Sequence, residues 1–375
     1  MKIPQLKIGN NMVFKNPFGC GAMGVGLSNG DLPLAVLKNG CFATMSSIGL
    51  CEFDVNVRTY EDASKEAFIE EIERFQRSAD DHLAELLAIN VMGKLSNTPS
   101  LIKAAVDKGI KMIVYGAGLP NKLPEIVDDP SVNKVPIVSS ADAAVLILRM
   151  WQRRYPLDGG TFIAPDAFIL EGPLAGGHIG LTREQILHPE KYSLEIILGE
   201  LLEAIRPYEQ ILGRKIPVIA AGGIWSGADI ARFLSLGASG AQLGTRYLAT
   251  YECPAKDNHK QSLIDLKAED IVIIDSPVGL PGRVVRNEVV IKAEKNEVAI
   301  RCPYRCITTC KVKKAGFCIA HALKSTQKGA LEDSLIFIGA NGWRIDRIIS
   351  VAELTEELIA GIEASPLTLP KERYI

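Results

Sequence analysis

The chain has 375 residues, enough for one large domain or two smaller ones. With 42 basic against 44 acidic residues and a net charge of −2, it offers no electrostatic footprint for nucleic acid or an anionic membrane surface. No apolar run approaches the roughly 20 residues that span a bilayer, and the N-terminal MKIPQLKIGN lacks the apolar core of a secretory signal, so a cytoplasmic protein with mostly reduced cysteines is expected.

Eight apolar, β-branched runs follow one another along the chain, near 18–23, 41–48, 86–92, 111–117, 135–140, 167–172, 217–223 and 240–245. Each is continuous rather than alternating, which suits parallel strands buried on both faces. LPLAVLKNG (32–40), PSLIKAAVDKG (99–109) and GADIARFLSLGASG (227–240) each show a helical apolar stripe, a glycine past its end, and then a strand. Eight such units in about 250 residues predict an α/β fold of the (β/α)₈ TIM-barrel type. A doubly wound sheet competes, but no GxGxxG opens the first helix. YEDASKEAFIEEIERFQRSADDH (60–82) reads as a charged helical insertion with a solvated face. The barrel is expected over 1–265, and a C-terminal extension over 266–375 would carry a cysteine cluster and a closing helix packed on the barrel.

In a barrel, function sits where strands end and loops begin. Glycines gather there: GCGAMGVG, GAGLP, EGPLAGGHIG, AAGGI and LGTR follow strands one, four, six, seven and eight. Gly222 and Gly223, then Gly244 and Thr245, put bare backbone N–H groups at two adjacent strand ends, a cradle for an anion such as phosphate. Ala22, Met23, Gly24, Asn90, Gly116 and Gly118 would accept a broad planar group, with the Asn90 amide able to pair with a polar ring edge. A phosphate joined to a large flat polar ring is the outline of FMN. Gly176 and Gly177 lead into His178, the one imidazole among these glycines and the candidate proton carrier.

AGGH within EGPLAGGHIG, then PVIAAGGI and GAQLGTRYLATYEC, resemble the nitronate monooxygenase group of flavin barrels, which also includes flavin-type enoyl-ACP reductases. INVM (89–92), GAGLP (116–120) and PVGLPGRVVRN (277–287) keep the same order, so the likeness covers most of 15–290. The resemblance implies a barrel binding FMN without covalent attachment, flavin contacts at the strand-end residues named above, and His178 as the catalytic residue. It favours oxidation of alkyl nitronates. An NAD(P)H-dependent enoyl or ene reductase and a flavin/iron–sulfur electron-transfer or redox-sensing protein are the alternatives. Expected partners are a small-molecule substrate and either NAD(P)H or an electron-transfer partner, with no nucleic acid and no membrane; homo-oligomerisation stays open. The chain departs from the group's pattern at strand one, which lacks an Ala-Pro-Met sequence, and at SSADAAVLIL (139–148), which lacks a lysine.

RCPYRCITTCKVKKAGFCIAHAL (301–323) holds Cys302, Cys306, Cys310 and Cys318. Four cysteines within 17 residues suggest an iron–sulfur cluster such as [4Fe–4S], with tetrahedral zinc and plain buried thiols as the other readings. The tail ends in an amphipathic helix whose capped start is SVAEL, and IGANGWRI (338–345) is a candidate to lean over the barrel mouth.

Overall fold

The computed structural model describes residues 3–49, 51, 59–295, 297–298, 300, 302 and 305–370. A hairpin, β1 (Leu6–Ile8) and β2 (Met12–Phe14), precedes the barrel. The barrel strands are β3 (Phe18–Cys20), β4 (Phe42–Ser46), β5 (Ala88–Met92), β6 (Met112–Gly116), β7 (Asn133–Val138) and β8 (Phe168–Glu171), then, after the two-residue β9 (Gly177–His178), β10 (Val218–Ala221) and β11 (Gly240–Leu243). These eight close on themselves in the order β10-β11-β3-β4-β5-β6-β7-β8, every pairing parallel, so the expected (β/α)₈ barrel is present. Their continuous apolar character follows from burial on both faces: β4 and β10 are buried at every position. Leu6 of the hairpin packs at Gly240, where β11 begins, so the hairpin shields the N-terminal end.

The charged segment after β4 is more than a solvated face. It folds as helix Tyr60–Ser78, and Phe68, Ile72 and Phe75 on its inner stripe enter the main core. Its charges outnumber its apolar residues, yet the apolar ones recur at helical spacing and fix which side faces the strands.

After β11 the chain makes a long excursion before the barrel is finished. β12 (Ile271–Asp275) and β13 (Pro281–Val285) pair antiparallel, and β13 then pairs with β9 to give a three-stranded sheet. The chain returns as helix Val351–Glu363, started by the expected capping box of Ser350 and Glu353. This helix crosses helix Gly227–Ser235 at close range. A Cβ on Gly227 would lie 2.1 Å from the Leu358 carbonyl oxygen and 2.5 Å from the Ile362 nitrogen, and Gly361 faces Gly227 across the crossing. The helix also borders helix Leu32–Lys38, so it stands between the helices of the seventh and first units.

Because the atoms facing Gly227 are backbone, a side chain there cannot be accommodated by a rotamer change. Gly227→Val is expected to destabilise the protein by about 1–3 kcal/mol, the range for overpacking. Gly361→Ala, with 3.0 Å to the Gly227 Cα, should cost less. Urea unfolding midpoints of the two variants check the order.

Candidate active site

At the C-terminal ends of the barrel strands lies a cavity of about 550 Å³. All thirteen residues singled out by their strand-end positions line it. Ala22, Met23 and Gly24 follow β3; Asn90 is on β5; Gly116 and Gly118 end β6. Gly176, Gly177 and His178 form the loop and short strand after β8, Gly222 and Gly223 follow β10, and Gly244 and Thr245 follow β11.

The backbone explains the glycines at two places. Gly222 and Gly223 have φ of +99° and +79°, the left-handed side where glycine alone is unstrained, and a Cβ on Gly223 would press 2.8 Å from that of Leu174. Gly176 lies against the main chain of Ile338 and Gly339, with 2.4 Å between a built Cβ and the Ile338 carbonyl carbon. The segment 338–341 therefore does reach the barrel mouth. Gly339 N–H donates to Thr245 Oγ1 at 2.9 Å, Ala340 N–H to the Leu174 carbonyl, and the Asn341 amide to the Gly223 carbonyl at 2.7 Å. Asn90 donates to the Val114 carbonyl at 3.3 Å, which sets the plane of its amide beside the cavity.

His178 is held from three sides. Its main chain pairs with Gly282 of β13. Its Nε2 lies 2.7 Å from Ser276 Oγ, with donor and acceptor set by the tautomer. Phe337 meets the ring edge-on at 4.9 Å. The imidazole is half-buried in the cavity wall. This desolvation, with the Lys94 charge nearby, lowers its pKa to about 4. The ring is therefore neutral at neutral pH.

Three cavity residues carry chemistry that the motifs did not point to. Glu171 ends β8, where its Oε2 accepts from Gly180 N–H at 3.1 Å; burial pushes the carboxyl up to about 7, against the pull of that bond and of Arg283. Gln242 projects from β11 beside Gly21, leaving no room for a Cβ there. Lys94, after β5, donates to the Val278 carbonyl at 3.0 Å. A carboxylate closing the apolar run AFIL was a readable signal for Glu171; Gln242 and Lys94 had none. Arg283 is a fourth residue of this kind, outside the cavity wall. Its Nη1 donates to the Pro173 and Ala175 carbonyls at 2.8 and 2.5 Å and so clamps the glycine-rich loop before His178.

The four clustered cysteines, Cys302, Cys306, Cys310 and Cys318, line a second cavity of about 120 Å³. Burial, then the neighbouring Cys318, Cys302 and Cys310, push the Cys306 thiol up to about 12. Among the described residues, no three Cys, His, Asp or Glu side chains are gathered tightly enough to hold one metal ion. That leaves the iron–sulfur and zinc readings alike without a preformed metal site among the described residues. Cys20, Cys41, Cys51 and Cys253 are buried, as core thiols should be.

A family model described as nitronate monooxygenase matches residues 16–361. The chain belongs to the nitronate monooxygenase family. Members of this family are flavin-using oxidoreductases. A probable nitronate monooxygenase of Staphylococcus saprophyticus is 26% identical over 192 residues, 51% of this chain and 48% of that protein. A Mycobacterium tuberculosis protein named (3aS,4S,5R,7aS)-5-hydroxy-7a-methyl-1-oxo-octahydro-1H-indene-4-carboxyl-CoA dehydrogenase is 34% identical over 134 residues, 36% of this chain and 33% of that one. The matched region thus spans a third to a half of these curated relatives. Two solved structures share the fold: FabK from Thermotoga maritima (TM-score 0.69, 21% identity, 93% of each chain) and nitroalkane oxidase from Streptomyces ansochromogenes (TM-score 0.67, 20% identity, 93% of this chain and 96% of that one). No helix among the described residues is long and apolar enough to cross a membrane.

Glu171 is expected to make the protein's stability depend on pH. A carboxyl raised from its ordinary 4.5 to about 7 binds its proton more tightly folded than unfolded, so its contribution to stability is greatest below 4.5 and falls as pH rises to 7. Glu171→Gln removes that slope. The melting temperature of the variant relative to the native protein should rise between pH 5 and pH 8; a difference that does not change with pH would place the carboxyl in its ordinary range.

Proposed function

We propose that this protein is an FMN-dependent oxidoreductase that oxidises alkyl nitronates. The observation that carries the reading is the cavity itself, with a neutral, hydrogen-bonded imidazole on one wall and two bare glycine strand ends on another. The residues fit FMN. Gly222, Gly223, Gly244 and Thr245 offer main-chain N–H groups at adjacent strand ends for a phosphate. Ala22, Met23, Gly24, Asn90, Gly116 and Gly118 offer a surface with little side-chain bulk and one amide for a planar ring, and Gly176 and Gly177 keep the facing wall bare. When bound, FMN supplies the electron acceptor.

What the chain adds follows from the imidazole. With a pKa of about 4, His178 is a weak base. It removes the α-proton of a neutral nitroalkane poorly, but a nitronate arrives with that proton already gone. For such an anion the useful act is to donate a ring N–H to the charged nitro group, and Ser276 and Phe337 hold the ring for it. Lys94 adds positive charge at the same mouth, and the buried Glu171, titrating near neutrality, contributes less repulsion than an ordinary carboxylate would. The environment thus favours the preformed anion over its conjugate acid.

His178→Asn is expected to lower kcat/KM for an alkyl nitronate by about 10²-fold or more while the purified protein stays yellow. Anaerobic absorption spectra test the assignment itself. Flavin bands that fade with a nitronate but persist with NADH and NADPH support it. Bands that fade only with a nicotinamide would make the protein a reductase of the same family.

A further inference from the structure

From the cavity lined by Cys302, Cys306, Cys310 and Cys318 we infer a binding site for a polynuclear iron–sulfur cluster, set against the wall of the barrel-mouth cavity. Four observations carry it. The four cysteines lie in irregular segments, Cys318 just before a helix, yet all line one space of about 120 Å³. A single tetrahedral ion with bonds of about 2.3 Å would draw its four sulfurs to within about 4 Å of one another and leave no such space between them. A cluster in which the thiolates bind different irons needs the opposite arrangement, sulfurs standing apart around a body.

The electrostatics suit an anionic group. Cys318 is the residue before helix Ile319–Lys328, and the backbone N–H groups of Ala320 and His321 point at its sulfur, so the positive end of a ten-residue helix faces the space. The Arg305 side chain lines the same cavity.

The segment is also fixed in place rather than draped over the surface. Ser96 N–H donates to the Cys306 carbonyl at 3.1 Å and Thr308 N–H to the Lys94 carbonyl at 2.9 Å, while Thr309 Oγ1 donates to Val278. Leu95 and Ile307 form an antiparallel bridge. The cysteine loop is thereby tied to the loop after β5. Cys306, Ile307, Ile319 and Ala320 line both cavities, so the site shares a wall with the one assigned above to the flavin.

The site stands on its own residues and does not depend on the flavin reading. The full-length protein, purified without oxygen, is assayed per chain for iron, acid-labile sulfide and zinc, with flavin measured separately. Iron and sulfide in equal amounts, about four of each where every thiolate holds its own iron and about two of each where they pair, are expected. Cys302→Ser combined with Cys310→Ser should lower both at least tenfold and leave flavin content unchanged. A second measurement covers a variant that fails to fold: chelator-stripped native protein, given ferrous iron and sulfide under reducing conditions, should regain both and show a paramagnetic signal when reduced or oxidised by one electron. One zinc per chain without sulfide would overturn the proposal. So would four alkylatable thiols or disulfides in metal-free protein that takes up no iron.

Discussion

The arrangement of the cavity depends on one clamp, the hold of β13 on the loop after β8. That loop, Gly172 to Gly180, has four glycines in nine residues, and only Ala175 and Ile179 anchor it in a small buried cluster. A loop of that composition pays a high entropic cost to adopt one conformation. Arg283 meets it by donating to two loop carbonyls, and β13 adds main-chain pairing at Gly177 and His178. The guanidinium is buried enough that its pKa falls to about 10, with Glu171 as its opposing charge. Removing either partner would leave a buried group short of its neighbour, so the loop, the carboxyl and the arginine form one unit.

This explains why the chain delays its eighth helix. β11 completes the barrel sheet at Leu243, yet the helix that fills the last gap begins at Val351. Between them the chain builds β12 and β13, supplies Ser276 to the imidazole, and passes Gly339 and Asn341 across the strand ends of β11 and β10. The barrel mouth is thus walled partly by barrel loops and partly by an excursion of the same chain. The excursion is anchored at both ends by barrel strand and barrel helix, which is why a glycine crossing as tight as Gly227 against Leu358 can be held.

Much of this was legible in the sequence, and the limits are physical. The eight strands declared themselves because burial on both faces leaves continuous apolar runs, and each glycine-rich strand end marked the same face. The capping box at Ser350 named a helix start to the residue. What stayed hidden were contacts made across large sequence separations. Ser276 is 98 residues from His178, and Arg283 is 110 from Pro173; no local pattern ties such pairs together. Helix Tyr60–Ser78 is hard to read for another reason: its charges outnumber its apolar residues, so its composition masks the buried stripe that the spacing encodes. The cysteines were conspicuous as a group, but only the fold shows that they ring a space and that the space abuts the barrel mouth.

The same cause, removal from water, acts in opposite directions on two titratable groups of the cavity, His178 and Glu171. It lowers His178 to about 4 and raises Glu171 to about 7. Each shift favours the uncharged form, so at slightly acidic pH the imidazole and most of the carboxyl are both neutral. Opposed shifts on neighbouring titratable groups are how an active site separates the roles of acid and base. Here the separation is inverted from the common pattern: the imidazole is the poor base, and the carboxyl is the group that exchanges its proton near neutrality. A substrate that needs deprotonation would therefore meet Glu171 before His178 as a competent base, whereas one that arrives as an anion needs only the donor.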